Sequence, residues 1–545
     1  MQSMPAAFRY VLLRRVAVGI QRQWRIGATF AIALIVVTFG AVGSASATAS
    51  STGPVAREAV SSQLSVPARD LPPASSATTE SRLRSQPATG LPLTTSFMAA
   101  LTDPIAASSQ TNASLTPAAD LSFDGTQNPF ACGGCTPPDT TGDVGPNRFV
   151  QVVNATKVAV YDKSGSLQAP PFDLGNLWGT GACSENAGDP QVNYDGLADR
   201  WVLAQFADPR ELCFAVSETP DPLGAYHLYQ FEVPTFPDYF KIGVWRNGYY
   251  VSANEEDGYS AYAFDRPKML AGNPSASFVR FGGETNFLMP ADVDGKNAGA
   301  AGGGLFYTFK DSDFHGGGPD RIELFQLDPD FTVPANSTFT VIKTFDVAPF
   351  TYTVCGFFNF NCIPQKDSTR TVDAVSEWPM QRFAYRKIGP RQELVGNFTV
   401  GGGSAVPGAA IRWFELRRGG GSWTLQQEGT LDPGDGLNRF MGSISIDQDG
   451  NIALGYSASS SAAYPSIRYS TRTPSDPPGT MGPEQILQAG GGSQTGSNRW
   501  GDYSAMSADP SVGCRFWYTN EYYATNSARS WKTRIGAFTM PGCSS

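Results

Sequence analysis

Five aspartates, Asp139, Asp189, Asp238, Asp292 and Asp502, stand just upstream of strand-like segments in similar local settings. Brought to one mouth of a closed array of sheets, they would form a carboxylate ring. Carboxylates near enough to interact separate in pKa, so that one serves as general acid and the other as base or nucleophile in glycoside hydrolysis. Arg499-Trp500-Gly501-Asp502-Tyr503 adds a guanidinium and a phenol at the entry to the last strong strand, and Gly188-Asp189-Pro190 holds the matching place earlier in the chain. Asp189, Asp502, Arg499 and Tyr503 are therefore the catalytic candidates. The wider ligand-binding set is Asp139, Asp189, Asp238, Asp292, Arg468, Arg499 and Asp502, whose arginines could clamp a carboxylate-bearing sugar. For any one of these aspartates, capping a turn by accepting from nearby backbone N–H groups is the commoner role.

Other chemistry is sparse. His227 and His315 are the only histidines, which excludes a His-rich zinc site. Asp447-Gln448-Asp449-Gly450-Asn451 and Asp292-Val293-Asp294-Gly295 are fragments of calcium loops. Calcium takes about six to eight oxygens, and neither fragment carries the bidentate Glu of an EF-hand. A type I′ hairpin turn at Asp449-Gly450 explains the first equally well. Calcium is thus the one cofactor left open, with Asp447 and Asp449 as its candidate ligands. None of the Gly-Gly-Gly runs has the spacing of a phosphate loop, and Ser504 is not in a G-x-S-x-G elbow.

The elements that must position these groups are strands. Charged residues make up only 16% of the chain, while Gly numbers 58 and Pro 40, a balance suited to short strands and many turns. Seven apolar cores recur at uneven spacing: Phe149–Val153, Trp201–Phe206, Tyr249–Ala253, Leu305–Phe309, Arg382–Tyr385, Ile452–Tyr456 and Phe516–Tyr518. Each is followed, in most cases, by a second strand such as Val158–Asp162 or Ala261–Asp265, and turn signals such as Asp162-Lys163-Ser164-Gly165 mark hairpins. Seven four-stranded units predict an all-β fold, a seven-bladed β-propeller with a disordered N-terminal segment.

Three segments follow from composition. Arginines before an apolar run from Ile26 to Val42, then Ala45-Ser46-Ala47, predict a signal peptide over 1–47 cleaved near Ala47. Residues 48–120, rich in Ser, Ala, Thr and Pro, are expected to be a disordered spacer, and 121–545 the propeller domain. No later stretch is apolar enough to span a membrane in the mature chain. Eight cysteines lie in neighbouring couples, Cys132 with Cys135, Cys183 with Cys213, Cys355 with Cys362 and Cys514 with Cys543, so proximity favours sequential disulfides and an oxidising destination. A net charge of -9 excludes nucleic acid as a partner that needs a basic face.

Pro137–Pro146, Lys241–Trp245 with Tyr249–Asn254, and Arg499–Met506 followed by Phe516–Tyr522 resemble a family of secreted bacterial β-propeller proteins, sialidase-like in shape and often fused to adhesion-type modules. The resemblance runs from about Cys132 to Cys543 and implies fold and location, with no established activity. The sialidase-type box Ser-x-Asp-x-Gly-x-Thr-Trp is absent, which argues against sialidase chemistry. The expectation is a secreted or cell-surface recognition protein for an extracellular glycan or a surface protein. The alternative is a carbohydrate-active enzyme, a glycoside hydrolase or polysaccharide lyase, using carboxylates at the channel mouth.

Overall fold

Aromatic and β-branched runs gain most when a sheet can bury both faces, and stacking sheets radially does this without leaving long edges. The computed structural model describes residues 53–74, 103–106, 113–296, 302–356 and 361–543. Among them the strands form seven blades around one axis. The innermost strands, in blade order, are Thr141–Val144, Gln191–Asp195, Asp238–Val244, Met289–Val293, Pro379–Ile388, Asn438–Ile446 and Ala505–Ala508. Each contacts the next, and the seventh contacts the first, so the ring closes. Blades 4 and 5 are also joined by direct parallel pairing of Ala291 with Phe383 and Val293 with Tyr385. Leu121–Gln127 pairs with Lys532–Thr539 as the outer strand of blade 7, which ties the two ends of the domain together.

Apolar layers fill the spaces between blades; Phe214, Phe231, Phe264 and Phe278, for example, lock blade 2 to blade 3. Six of the seven apolar cores picked out in the sequence are second strands; only Arg382–Tyr385 lies on an innermost one. The reason is packing: second and third strands are covered by neighbouring blades, whereas innermost strands line the axis and carry polar residues such as Asp143, Asn193, Asp292 and Ser445.

Within 48–120, the segment expected to be a spacer, short pieces are ordered against the blades. Val55–Glu58 adds as a fifth strand to blade 3 and Ser61–Leu64 to blade 2. Four-residue edge strands are too short to show periodicity, and their partners supply the order that composition does not reveal. Asp103 is buried and accepts from Arg412 Nη2 and Thr430 Oγ1, both at 2.8 Å, which pins another piece of this arm to blade 5. The signal-peptide segment, 1–47, lies outside the described residues.

All four cysteine couples form disulfides. Cys183–Cys213 spans 30 residues and pins the loop before blade 2 to that blade's third strand. In the chain-entropy account a loop of that length is worth about 3–4 kcal/mol. Cys183→Ser with Cys213→Ser is expected to lower the free energy of unfolding by that amount, read from urea midpoints of the paired variants.

Candidate functional site

Every innermost strand begins on one face of the disc, termed the entry face, and ends on the other. The blade-to-blade connections therefore gather on the entry face, among them the segments 174–190, 361–378 and 489–504. The exit face carries hairpin turns such as 196–199, 389–390 and 447–451.

At the entry face, non-glycine residues stand at positive φ at or near the start of the innermost strand in six blades: Asp139 (43°), Asp189 (49°), Tyr239 (52°), Val375 (45°), Met441 (53°) and Asp502 (62°). This turn swings each chain inward. It brings Asp189, Asp502, Arg499 and Tyr503 together, as the sequence suggested, although 314 residues separate Asp189 from Tyr503. Tyr503 Oη donates to Asp189 Oδ2 at 2.7 Å, and the Tyr239 N–H donates to the same oxygen at 3.0 Å. Tyr239 Oη in turn donates to the Asp502 carbonyl at 3.2 Å. Arg499 pairs with Asp502 and lies 3.5 Å from Asp373, whose other oxygen accepts from the Trp500 N–H at 2.7 Å. Asp139 enters through its N–H, which donates to the Gly501 carbonyl at 3.1 Å.

Sequence reasoning missed Lys241, Asp373 and Glu521. Lys241 Nζ stands 3.4 Å from the Tyr239 ring centre and 3.7 Å from that of Tyr503, and it donates to the Tyr239 and Phe240 carbonyls. Its only sequence signal is its place three residues after Asp238. Glu521 accepts from the Gly501 N–H at 2.8 Å. Burial, with Asp373 and Asp502 nearby, holds its carboxyl well above the usual range. Burial and neighbouring Asp238 also push Asp189 up to about 6, against the opposing pull of Lys241.

The expected open carboxylate mouth is instead a sealed layer. Asp139, Asp189, Asp238, Asp502 and Tyr503 are 2%, 8%, 3%, 3% and 2% exposed. Tyr239, Phe287, Trp378 and Tyr503 pack around them with ring centres 4.4 to 5.7 Å apart. The positive-φ turns direct these side chains toward the axis, where the aromatic rings exclude water.

Asp292 belongs elsewhere. It accepts from the Val244 N–H at 2.8 Å, whereas Asp189 accepts from Tyr239 N–H; five residues of the same strand, about 15 Å, separate the two. Asp292 sits instead within the axis, bound by Asn193 Nδ2 at 3.0 Å and paired with Arg382. Arg382 also holds Asp294 at 2.8 Å and donates to the Met506 carbonyl, so one guanidinium spans blades 4, 5 and 7. Arg468 lies on the third strand of blade 6, ion-paired at 3.1 Å to Glu484, which Arg439 of that blade's innermost strand also holds at 2.7 Å. Asp447 caps its hairpin. Its oxygens accept from Asp449 N–H, Asn451 N–H and Asn451 Nδ2 at 2.7 to 2.9 Å, the turn role that competes with a calcium loop at Asp447 and Asp449. Among the described residues no group of three or more His, Cys, Asp or Glu side chains is arranged to hold a metal ion.

No protein-family model and no curated protein sequence matches the chain. Solved structures similar to it include the WD40 domain of SCAP from fission yeast (8% identity, TM-score 0.32, covering 76% of this chain and 97% of that one). Phage phi92 endosialidase aligns at 8% identity and TM-score 0.33 over 79% of this chain and 69% of that one. The α-L-arabinanase of Penicillium chrysogenum aligns at 8% identity and TM-score 0.26 over 65% and 94%. At these values the likenesses establish no family or activity.

Proposed function

We propose that this chain is an extracellular or cell-surface recognition protein whose ligand, a glycan or a protein, docks on the entry face above the Asp189–Tyr503–Asp502 layer. One observation carries the reading: six blades hold non-glycine backbone at positive φ at the same step of the fold. Such conformations cost about 1–2 kcal/mol each and persist where a surface is being pre-organised. The long loops on this face are where a rigid scaffold usually carries binding residues. Four disulfides agree with an oxidising compartment, as does the basic-apolar-small order of the N-terminus.

Recognition is favoured over hydrolysis because the gathered carboxylates are already engaged by backbone, Arg and Tyr donors beneath aromatic cover. A hydrolytic reading rests on Asp189 alone, whose carboxyl near pH 6 with a phenol at 2.7 Å has the chemistry of a proton donor. A glycan array run beside a polysaccharide-degradation screen separates the two: turnover of any polymer would reject the recognition reading.

Within that reading Phe130 is a contact residue. It is a 40% exposed aromatic on the entry-face connection, two residues before the Cys132–Cys135 disulfide. Phe130→Ser is expected to weaken ligand capture on the array about tenfold with an unchanged melting temperature. Asp502→Asn is expected to act differently. It leaves Arg499 with Asp373 only at 3.5 Å, so unfolding free energy should fall by about 3 kcal/mol in denaturant titration.

A further inference from the structure

Seven arginines are buried among the described residues. Five sit on carboxylates, such as Arg266 on Asp195 and Arg412 on Asp103, and Arg472 spans three carbonyl oxygens. Arg386 is the exception. Its Nε donates to the Ile446 carbonyl at 2.9 Å, no carboxylate lies within ion-pair distance, and its Nη2 is buried without a hydrogen-bond partner. Leaving a buried guanidinium so poorly engaged is costly unless something else uses it.

Its position suggests what. Arg386 lies near the end of the innermost strand of blade 5, on the exit face, beside the turn that follows the innermost strand of blade 4. A Cβ at Gly295, whose φ is +93°, would stand 3.2 Å from Arg386 Nη1, so a side chain there would crowd the guanidinium. Asp449, whose charge also acts on Arg386, is exposed at its hairpin turn. Asp294 and Asp447 attract Arg386 electrostatically but are occupied, Asp294 by Arg382 and Ser445 and Asp447 by its turn. The surrounding acids disfavour an added anion, and the guanidinium disfavours a cation. A hydroxyl satisfies both, accepting from the guanidinium and donating to a carboxylate.

We propose that the exit mouth between Gly295, Arg386 and Asp449 is a second binding site, separate from the entry face, which takes neighbouring hydroxyls of a neutral carbohydrate. Nη1 of Arg386, the nitrogen beside Gly295, donates to one hydroxyl oxygen and the Asp449 carboxylate accepts from the next.

The test is saturation-transfer NMR on the secreted protein with three neutral probes, methyl α-mannoside, methyl β-galactoside and methyl β-glucoside. At least one should bind, and Arg386→Met should weaken it about tenfold or more, the worth of a hydrogen bond to a charged group. The variant should melt no lower than the parent, because a poorly compensated buried charge is removed. Gly295→Ala, which crowds the guanidinium without altering it, should weaken the same probe. Absence of binding by all three glycosides, undiminished binding in both variants, or displacement of the glycoside by millimolar acetate would each overturn the assignment.

Discussion

Arg382→Leu is expected to lower the stability of the propeller by about 4 kcal/mol at pH 8 and by clearly less at pH 5. The guanidinium holds Asp292 and Asp294 directly, and its charge also draws Asp143 toward the ionised form. Removing one partner of a buried ion pair typically costs about 3–5 kcal/mol because the other is left charged and dry. Here three carboxyls from two blades would face one another across the axis. Burial already holds Asp292 and Asp143 above the usual carboxylate range, so these two take up protons as pH falls and the penalty shrinks. Urea titrations at the two pH values check this. An equal loss at both would show that leucine disrupts packing and that the carboxylates are indifferent to the missing charge.

The contrast between Asp502 and Arg382 shows what the sequence could reveal. Asp139, Asp189 and Asp502 share a local signature, an acid one or a few residues before a short innermost strand, and that repetition was enough to place them on one face. Repeated aromatic cores and hairpin turns likewise sufficed for seven blades. Arg382 carries no such mark. It follows an unremarkable Met380-Gln381, and its partners Asp292 and Asp294 are 90 and 88 residues away, so only the parallel join between blades 4 and 5 brings them together. Burial was also illegible. An Asp before a strand reads the same whether its turn opens to water or is roofed by Tyr239, Phe287 and Trp378, because those rings come from the entries to three separate blades. The edge strands Val55–Glu58 and Ser61–Leu64 were hidden for a related reason: their pattern belongs to the blades they join.

Asp143→Asn is expected to reverse its effect with pH, destabilising the protein by about 1 kcal/mol near pH 3 and stabilising it by about 3 kcal/mol near pH 8. Burial, and the charges of Asp292 and Asp294, push the Asp143 carboxyl up to about 7 against the pull of Arg382. Its unfolded value is near 3.9. The folded state therefore binds the extra proton, and the stability this group contributes is whole below about pH 4. It declines as pH rises toward 7, and by pH 8 the ionised, buried carboxylate costs about 4 kcal/mol relative to the neutral form. Asn cannot ionise, so it escapes that decline. It does lose an acceptor: Asp143 takes the Tyr194 N–H on Oδ2 and the Val144 N–H on Oδ1, and an amide offers one oxygen, a loss of about 1 kcal/mol at every pH. Asp189, held near 6, adds a decline of the same sign in both proteins. Acids held below their usual range, such as Asp509 beside Lys163 and Glu484 beside Arg439, contribute stability above about pH 4 that is lost as pH falls further. The parent should accordingly be most stable near pH 4, and the two stability curves should cross near pH 4.5. Parallel curves from pH 4.5 to 8 would show that Asp143 is ionised throughout, with Arg382 outweighing its burial.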